Sequence, residues 1–589
     1  MENVKNYGLP LLVFTSLALL FTYPIFQNIT YWGGGDWDQH FFYSEAARKT
    51  ILEYHQFPFW NPWYCGGNAL LAHPESLFLG PFFILNLIFG TVIGFKLQIL
   101  VHLIIGMLGM YLICQWYKLR RFSSYLAPIL FMLSSAFANR VVAGHTLYFS
   151  MAFLPFVFYF YLRSYSAMRY GAISAVFLVF IVFSGGTYPF LFSVLLIGIH
   201  GLLLMALRRS LNPLYSIGLI FLLAFGLGAI KLLPMLQFTS AYGFSFDDDQ
   251  PTSLKTLLSG FLSFDQSPES RTYYSTFTQQ VEFYEAGKKV SQKAAIDTQW
   301  QWHEYSAYFG LSFVLLVGWF FVLGRKHLLL LLLFVIFLIL YFGDSLLLYR
   351  LLRGLPLAGS FHGPSRFVNI LLFLGSIFAA MMLSWIEGIK KQVTILGKSY
   401  PLGTAAAFSF VVLMAVNLFF VVEPLYQRVF AVEPILLRGH EAFMQAYTAD
   451  KYRFQFPNIL QNVGTINCYD RIKPPRAAVP AITLEGESNP GYLGEAWLTK
   501  ENRSRQVAFS PNKIVVETNA SSDLLVVNQN FVKGWDAGRE LRNYNGLLAV
   551  PVEGQETIVF RYLPPLFRTG MAVSLFSLLI AAILLRKLI

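Results

Sequence analysis

The sequence predicts an α-helical polytopic membrane protein with a β-rich region outside the bilayer, and three observations lead there. Of 589 residues, 56% are hydrophobic and 13% charged, whereas soluble domains carry roughly a quarter charged residues. Apolar runs long enough to cross a hydrocarbon core of about 30 Å recur along the chain. Late in the chain, short runs alternate apolar and polar residues between Asn, Gly and Pro, the pattern of half-buried strands. The first two observations, with a mean hydropathy of +0.52, exclude a water-soluble fold.

Twelve spans are expected, near 9–29, 97–117, 122–139, 146–163, 170–185, 187–207, 213–236, 305–323, 327–343, 366–385, 403–423 and 566–586. The net charge of +12 does not indicate nucleic acid, because its basic clusters fall in short loops. Lys118/Arg120/Arg121, Arg163/Arg169, Arg208/Arg209, Arg325/Lys326, Lys390/Lys391/Lys398 and Arg586/Lys587 share one side if Met1 is cytoplasmic. Both termini then face the cytoplasm of a plasma (inner) membrane. Counting the apolar segment 77–93 as a span would invert every later loop, so it is read as a juxtamembrane or re-entrant helix. The first span has no small-residue cleavage site and reads as an anchor.

Three polar regions interrupt the helices on the external side: 30–76, 240–304 and 424–564. The expected division is a transmembrane domain 1–423, an extracytoplasmic β-rich domain 424–564 and a final helix 565–589. Runs such as 513–517, 523–527 and 557–561 supply the strand signal. Cys65, Cys114 and Cys468 match no metal or redox spacing. Cys65 and Cys468 fall on the same side and are free to pair.

Chemistry is expected where the chain leaves the first span. Trp32-Gly-Gly-Gly-Asp-Trp-Asp-Gln-His40 carries Asp36 and Asp38, and a carboxylate at a membrane boundary can take a hydroxyl proton or hold a divalent cation. Asp36 can equally cap the helix that follows. The loop continues through a Trp-, Tyr- and Pro-rich stretch to His73-Pro-Glu75-Ser76 and the apolar 77–93 segment. This order resembles the GT-C superfamily of polyprenyl-phosphate-sugar-dependent glycosyltransferases, and within it the YfhO-like bacterial membrane proteins. The likeness extends to Ser360-Phe-His-Gly-Pro-Ser-Arg-Phe367 and to Asn528-Gln-Asn-Phe-Val-Lys-Gly-Trp-Asp536.

The resemblance implies a GT-C-like helical domain in which Asp36, or else Asp38, activates the acceptor while the other binds substrate or a divalent cation such as Mg or Mn. Relatives often carry a second acid in the next external loop, but here that loop reads Asn139-Arg-Val-Val-Ala-Gly-His145. Arg140 and His145 are candidates to contact an anionic phosphate. His362 and Arg366 flank a Gly-Pro turn that opens a helix, a second phosphate candidate. Glu304 can supply the missing acid at the mouth of its span, and His73 and Glu75 complete the substrate-facing set. Asp247, Asp248 and Asp249 read as a solvated charge run rather than a cation site.

The leading expectation is an enzyme performing inverting glycosyl transfer from a polyprenyl-phosphate-linked sugar to an extracytoplasmic glycan or glycoprotein. The rival is a catalytically silent membrane scaffold that binds a partner. A transporter is less supported, because intramembrane charges are few; Lys231 is the main exception.

Overall fold

The computed structural model describes residues 7–243, 252–267, 273–274, 280–285, 288–293, 301–343, 346–354, 363–395, 398–435, 442–447, 454–468, 472, 475–501, 503–505 and 507–586. His362, Asp247, Asp248 and Asp249 lie outside them. Among the described residues, ten helices are long and apolar enough to cross a membrane. The chain is thus a multi-pass membrane protein. Two of the twelve expected spans are shorter helices, Met168–Phe183 and Ser312–Val322. Each ends beside glycine, the first at the Gly185–Gly186 turn and the second at Gly324, where a 3₁₀ turn takes over.

The segment 77–93 contains the short helix Phe83–Phe89, stopped by Gly90 at φ 79°. It folds back onto the helix Thr91–Trp116 so closely that a Cβ on Gly94 would lie 2.6 Å from Asn86 Cα. Seven residues cannot span a bilayer. The helix Val368–Glu387 runs through the centre of the bundle, buried at every residue from Val368 to Leu383. Phe567–Leu585 lies at the periphery against Asn212–Tyr242, where Ser574 Oγ donates to Leu227 O at 3.0 Å and accepts from Ile230 N at 2.9 Å.

The late alternating runs form a seven-stranded sheet built on two long antiparallel strands, Lys513–Asn530 and Leu547–Tyr562. Ala496–Leu498 and Val507–Ser510 pair with the first, while Trp535–Asp536 and Arg542–Tyr544 pair with the second. Ile514, Val516 and Phe560 sink into one core with Trp60 and Trp535. Val526, Ala549 and Trp497 fill another. Each fully buried side chain of this size contributes about 1.5–3 kcal/mol.

Loop 30–76 and the late region are joined at several points. Trp32 and Val432 exchange backbone hydrogen bonds of 2.8 and 3.0 Å. Trp60 Nε1 donates to Gln529 Oε1 at 2.9 Å, and Asn530 Nδ2 donates to Cys65 O at 2.7 Å. Cys65 and Cys468 form a disulfide with Cα atoms 5.2 Å apart. A protease site placed in an exposed turn between them is expected to give fragments that stay together on a denaturing gel until a thiol is added.

Glu495 is buried beside this junction, where its Oε1 accepts from Gln445 N at 3.0 Å, Tyr492 OH at 2.8 Å and Asn528 Nδ2 at 3.3 Å. Burial pushes its carboxyl up to about 8, against those three hydrogen bonds. The unfolded chain ionises the group near 4.5, so between there and about 8 it binds fewer protons than the folded chain. Stability from this group is therefore full below that window and falls as pH rises through it, by up to about 1.4 kcal/mol per pH unit. Glu495→Gln is expected to flatten that dependence in unfolding curves taken at pH 5, 6.5 and 8.

Candidate functional site

The helix Trp37–Leu52 begins directly behind Gly35, which sits at φ +63°. Asp36 occupies its N-cap position but makes no side-chain cap bond. The short helix Ser135–Ala143 meets it end-on, and Trp37 Nε1 donates to Val141 O at 2.8 Å. Gly144 closes that helix at φ +80°, and a Cβ there would lie 2.4 Å from Trp37 N. Only a bare backbone lets the two chains approach so closely. His145, the next residue, is thereby set against Asp36.

From Asp36 a polar network runs inward. His145 Nε2 is 3.0 Å from Asp36 Oδ2, and its Nδ1 is 3.0 Å from Arg140 Nη1. A guanidinium only donates, so Nδ1 accepts and the ring proton sits on Nε2, facing Asp36. Arg140 Nη2 donates to Glu304 Oε2 at 2.7 Å. Arg366 grips the same carboxylate with Nε to Oε2 at 2.8 Å and Nη2 to Oε1 at 2.6 Å. Arg140 lies 3.9 Å over the Tyr148 ring and Arg366 4.2 Å over Tyr188, two rings that stack on each other.

Electrostatics follow from that order. Burial raises the Glu304 carboxyl, but Arg140 and Arg366 more than offset it and hold it well below the usual carboxylate range. Burial also raises Asp36, yet the hydrogen bond from His145 leaves it lowered. Asp36 keeps about half its side chain exposed at 49%, against 2% for Glu304. It is the ionised end of the network that a solute reaches.

The structure thus brings Asp36, Arg140, His145, Glu304 and Arg366 together. Asp38 is placed differently: its Oδ2 accepts from Gln455 N at 2.9 Å and its Oδ1 from Phe456 N at 3.0 Å, at the start of the helix Gln455–Leu460. The capping role weighed for Asp36 belongs to Asp38, and on a helix far along the chain. His73 packs its ring 4.9 Å from that of Tyr43, and its Nδ1 faces Glu75 N at 3.3 Å. His40, His303, Tyr148 and Tyr188 were not among the sequence candidates. His40 lies one helical turn beyond Asp36, and His303 adjoins Glu304, so spacing alone offered a signal for those two; the two tyrosines were lost in the aromatic content.

His145, His303 and Glu304 place ligand-type atoms within 4.8 Å of one another, a buried group of the kind that can hold a metal ion. In this arrangement both His145 nitrogens are engaged, and both Glu304 oxygens are held by guanidiniums. A cation would enter beside two fixed positive charges, and Mg²⁺ favours oxygen ligands. The residues as arranged do not fit Mg²⁺ or Mn²⁺, and Asp36 and Asp38 lie outside the group.

No protein-family model matches the chain, and no curated protein matches it. Among solved structures it is similar to the arabinofuranosyltransferase AftD from mycobacteria, with a TM-score of 0.42 and 15% identity over 74% of this chain and 29% of that one. It is also similar to the oligosaccharyltransferase AglB from Archaeoglobus fulgidus, solved with an inhibitory peptide and a dolichol-phosphate. There the TM-score is 0.43 and the identity 10%, over 80% of this chain and 65% of that one. An Archaeoglobus fulgidus oligosaccharyltransferase tethered to an acceptor peptide gives a TM-score of 0.44 and 12% identity over the same shares. The chain spans less than a third of the first and less than two thirds of the others.

Proposed function

We propose that the chain is a GT-C-type transferase that moves a sugar from a polyprenyl-phosphate carrier to a hydroxyl on an extracytoplasmic glycan or glycoprotein, with inversion. One observation carries this reading: a half-exposed, ionised Asp36 joined through His145 to Arg140 and the Glu304–Arg366 pair. A base and groups that stabilise a departing anion stand side by side. Asp36 takes the acceptor's hydroxyl proton, and the freed oxygen attacks the anomeric carbon. The bond to the phosphate oxygen breaks, and polyprenyl phosphate leaves with the electron pair, its charge met by Arg140 and Arg366. His145 holds Asp36 in place. The scaffold reading draws on the saturation of Glu304, which leaves that carboxylate no free oxygen for substrate.

The test is reconstitution of the full chain in liposomes with lipid-linked sugars extracted from a bacterial envelope. The expected product carries a glycosidic bond of inverted anomeric configuration, with polyprenyl phosphate released in equal amount. Transfer is expected to persist in EDTA, because no step uses a cation. Absence of transfer with every donor class would favour the scaffold. The reading also sets the site on the external face of an inner membrane, so cysteines at 118–121, 208–209 and 325–326 are expected to label only from the cytoplasm.

A further inference from the structure

Five carboxylates lie at or on the helix Trp37–Leu52 or near the network that starts at its head, and three of them are already engaged by protein donors. Asp38 accepts two backbone amides. Glu45 accepts Thr91 Oγ1 at 2.5 Å and Arg48 at 3.0 Å. Glu304 is held by Arg140 and Arg366. Asp36 is half free. The fifth is Glu75, partly exposed, whose carboxylate has neither an ion pair nor a hydrogen bond among the described residues.

Glu75 is nevertheless held at its backbone from three sides. Lys231, 1% exposed on the helix Asn212–Tyr242, directs Nζ to Pro74 O at 3.2 Å, Ser76 O at 2.5 Å and Val182 O at 2.9 Å. An ammonium has three donors, and here all three end on carbonyls, two of them flanking Glu75. On another side lies Gly185 at φ +72°, where a Cβ would stand 2.6 Å from Glu75 O. Glu75 N faces His73 Nδ1 at 3.3 Å. Lys231 is buried in a membrane helix with no carboxylate at ion-pair distance among the described residues, and the Glu75 charge acts on it only from further off; such a lysine is costly, so its use to fix one turn calls for a function. Glu75 stands near the same network: His73, whose Nδ1 its amide meets, packs its ring 4.9 Å from that of Tyr43, and Tyr43 lies 6.2 Å from the ring of His40, one helical turn beyond Asp36.

We propose that Glu75 is the second solute-facing carboxylate of this site, binding a hydroxyl of a polyhydroxylated acceptor, and that Lys231 is the positioning residue that presents it. The identity of the acceptor rests on the transferase reading, whereas the placement of Glu75 does not. Asp36 is the base, and Glu75 accepts a hydrogen bond from a neighbouring hydroxyl of the same sugar, which fixes which oxygen meets Asp36.

Carbodiimide-driven coupling of glycine methyl ester to the full chain in lipid nanodiscs, read by peptide mass spectrometry, tests the placement. Asp36 and Glu75 are expected to couple, while Asp38, Glu45 and Glu304 are protected. In Lys231→Met, coupling at Glu75 is expected to change about tenfold, the effect of about 1.4 kcal/mol of lost positioning, with Asp36 unchanged. Lys231→Arg, which keeps the donors, is expected to restore it in part. Gly185→Ala displaces the same turn from its other side and serves if Lys231→Met fails to insert. An unlabelled Glu75 in the wild type, or one labelled equally in Lys231→Met and Gly185→Ala, overturns the proposal. In the transfer assay, Glu75→Gln is expected to raise the acceptor KM about tenfold with kcat near wild type; an unchanged KM in an active enzyme overturns the hydroxyl-binding role. If the wild type transfers nothing, the transferase reading fails and the acceptor assignment with it, while the labelling still decides the placement of Glu75.

Discussion

Asp36→Asn is expected to lower transfer by about 10²- to 10⁴-fold, the range for loss of a positioned general base, while leaving insertion and abundance unchanged. Asparagine keeps the size of the side chain and can still accept a hydrogen bond from His145 Nε2, so geometry survives and only proton-accepting capacity is lost. The loss should fall on kcat rather than on donor KM, because the proposed mechanism assigns the donor's phosphate to the arginines and not to Asp36. Asp38→Asn serves as the contrast. It weakens two amide hydrogen bonds at the start of Gln455–Leu460, so its expected signature is a less stable late region with little direct effect on chemistry. A larger kcat loss in Asp38→Asn than in Asp36→Asn would exchange the two roles.

Glu304→Leu is expected to destabilise the folded chain by about 3–5 kcal/mol, because it leaves two buried guanidiniums without a counter-charge. Removing all three partners, with Arg140→Met and Arg366→Met added, is expected to recover much of that loss, since an apolar replacement of a whole buried ion group is often nearly neutral. Thermal unfolding in nanodiscs separates the two variants. Equal stability of Glu304→Leu and the wild type would mean that the network contributes nothing to the fold. The triple variant should remain inactive even where it is stable.

Much of the fold is readable from local sequence because its causes are local. A helix must supply about 20 apolar residues to cross a bilayer, so hydropathy and length mark all twelve apolar helices near their places. The failures at Met168–Phe183 and Ser312–Val322 come at glycine-bearing turns, which shorten a helix without lowering the apolar count around it. Alternation in 513–517 and 557–561 marks strands because one face of each is buried.

The site is legible only in part. A charge where a helix leaves the membrane is costly, which singles out Asp36, Arg140, His145, Glu304 and Arg366 individually. No spacing shows that two arginines 226 residues apart, Arg140 and Arg366, share one carboxylate. Asp36 and Asp38 are indistinguishable as a dipeptide pattern, since the amides that occupy Asp38 arrive from residues 455 and 456. Glu75 is in the candidate list, but the sequence holds no trace that a lysine on a distant helix would grip the carbonyls on either side of it.

The bonds from Asp38 to the amide of Gln455, 417 residues onward, and from Trp32 to Val432 also set a timetable. Ribosomes add roughly 5–20 residues per second, so about 20–80 seconds separate the emergence of the first loop from that of the segment that completes it. Throughout that interval Trp32 and Asp38 lack the partners that Val432, Gln455 and Phe456 supply in the finished fold. A translocation machinery or holding factor that shelters an unfinished loop would meet its need here, and pulse-labelled chains released before residue 455 are expected to show this loop open to protease.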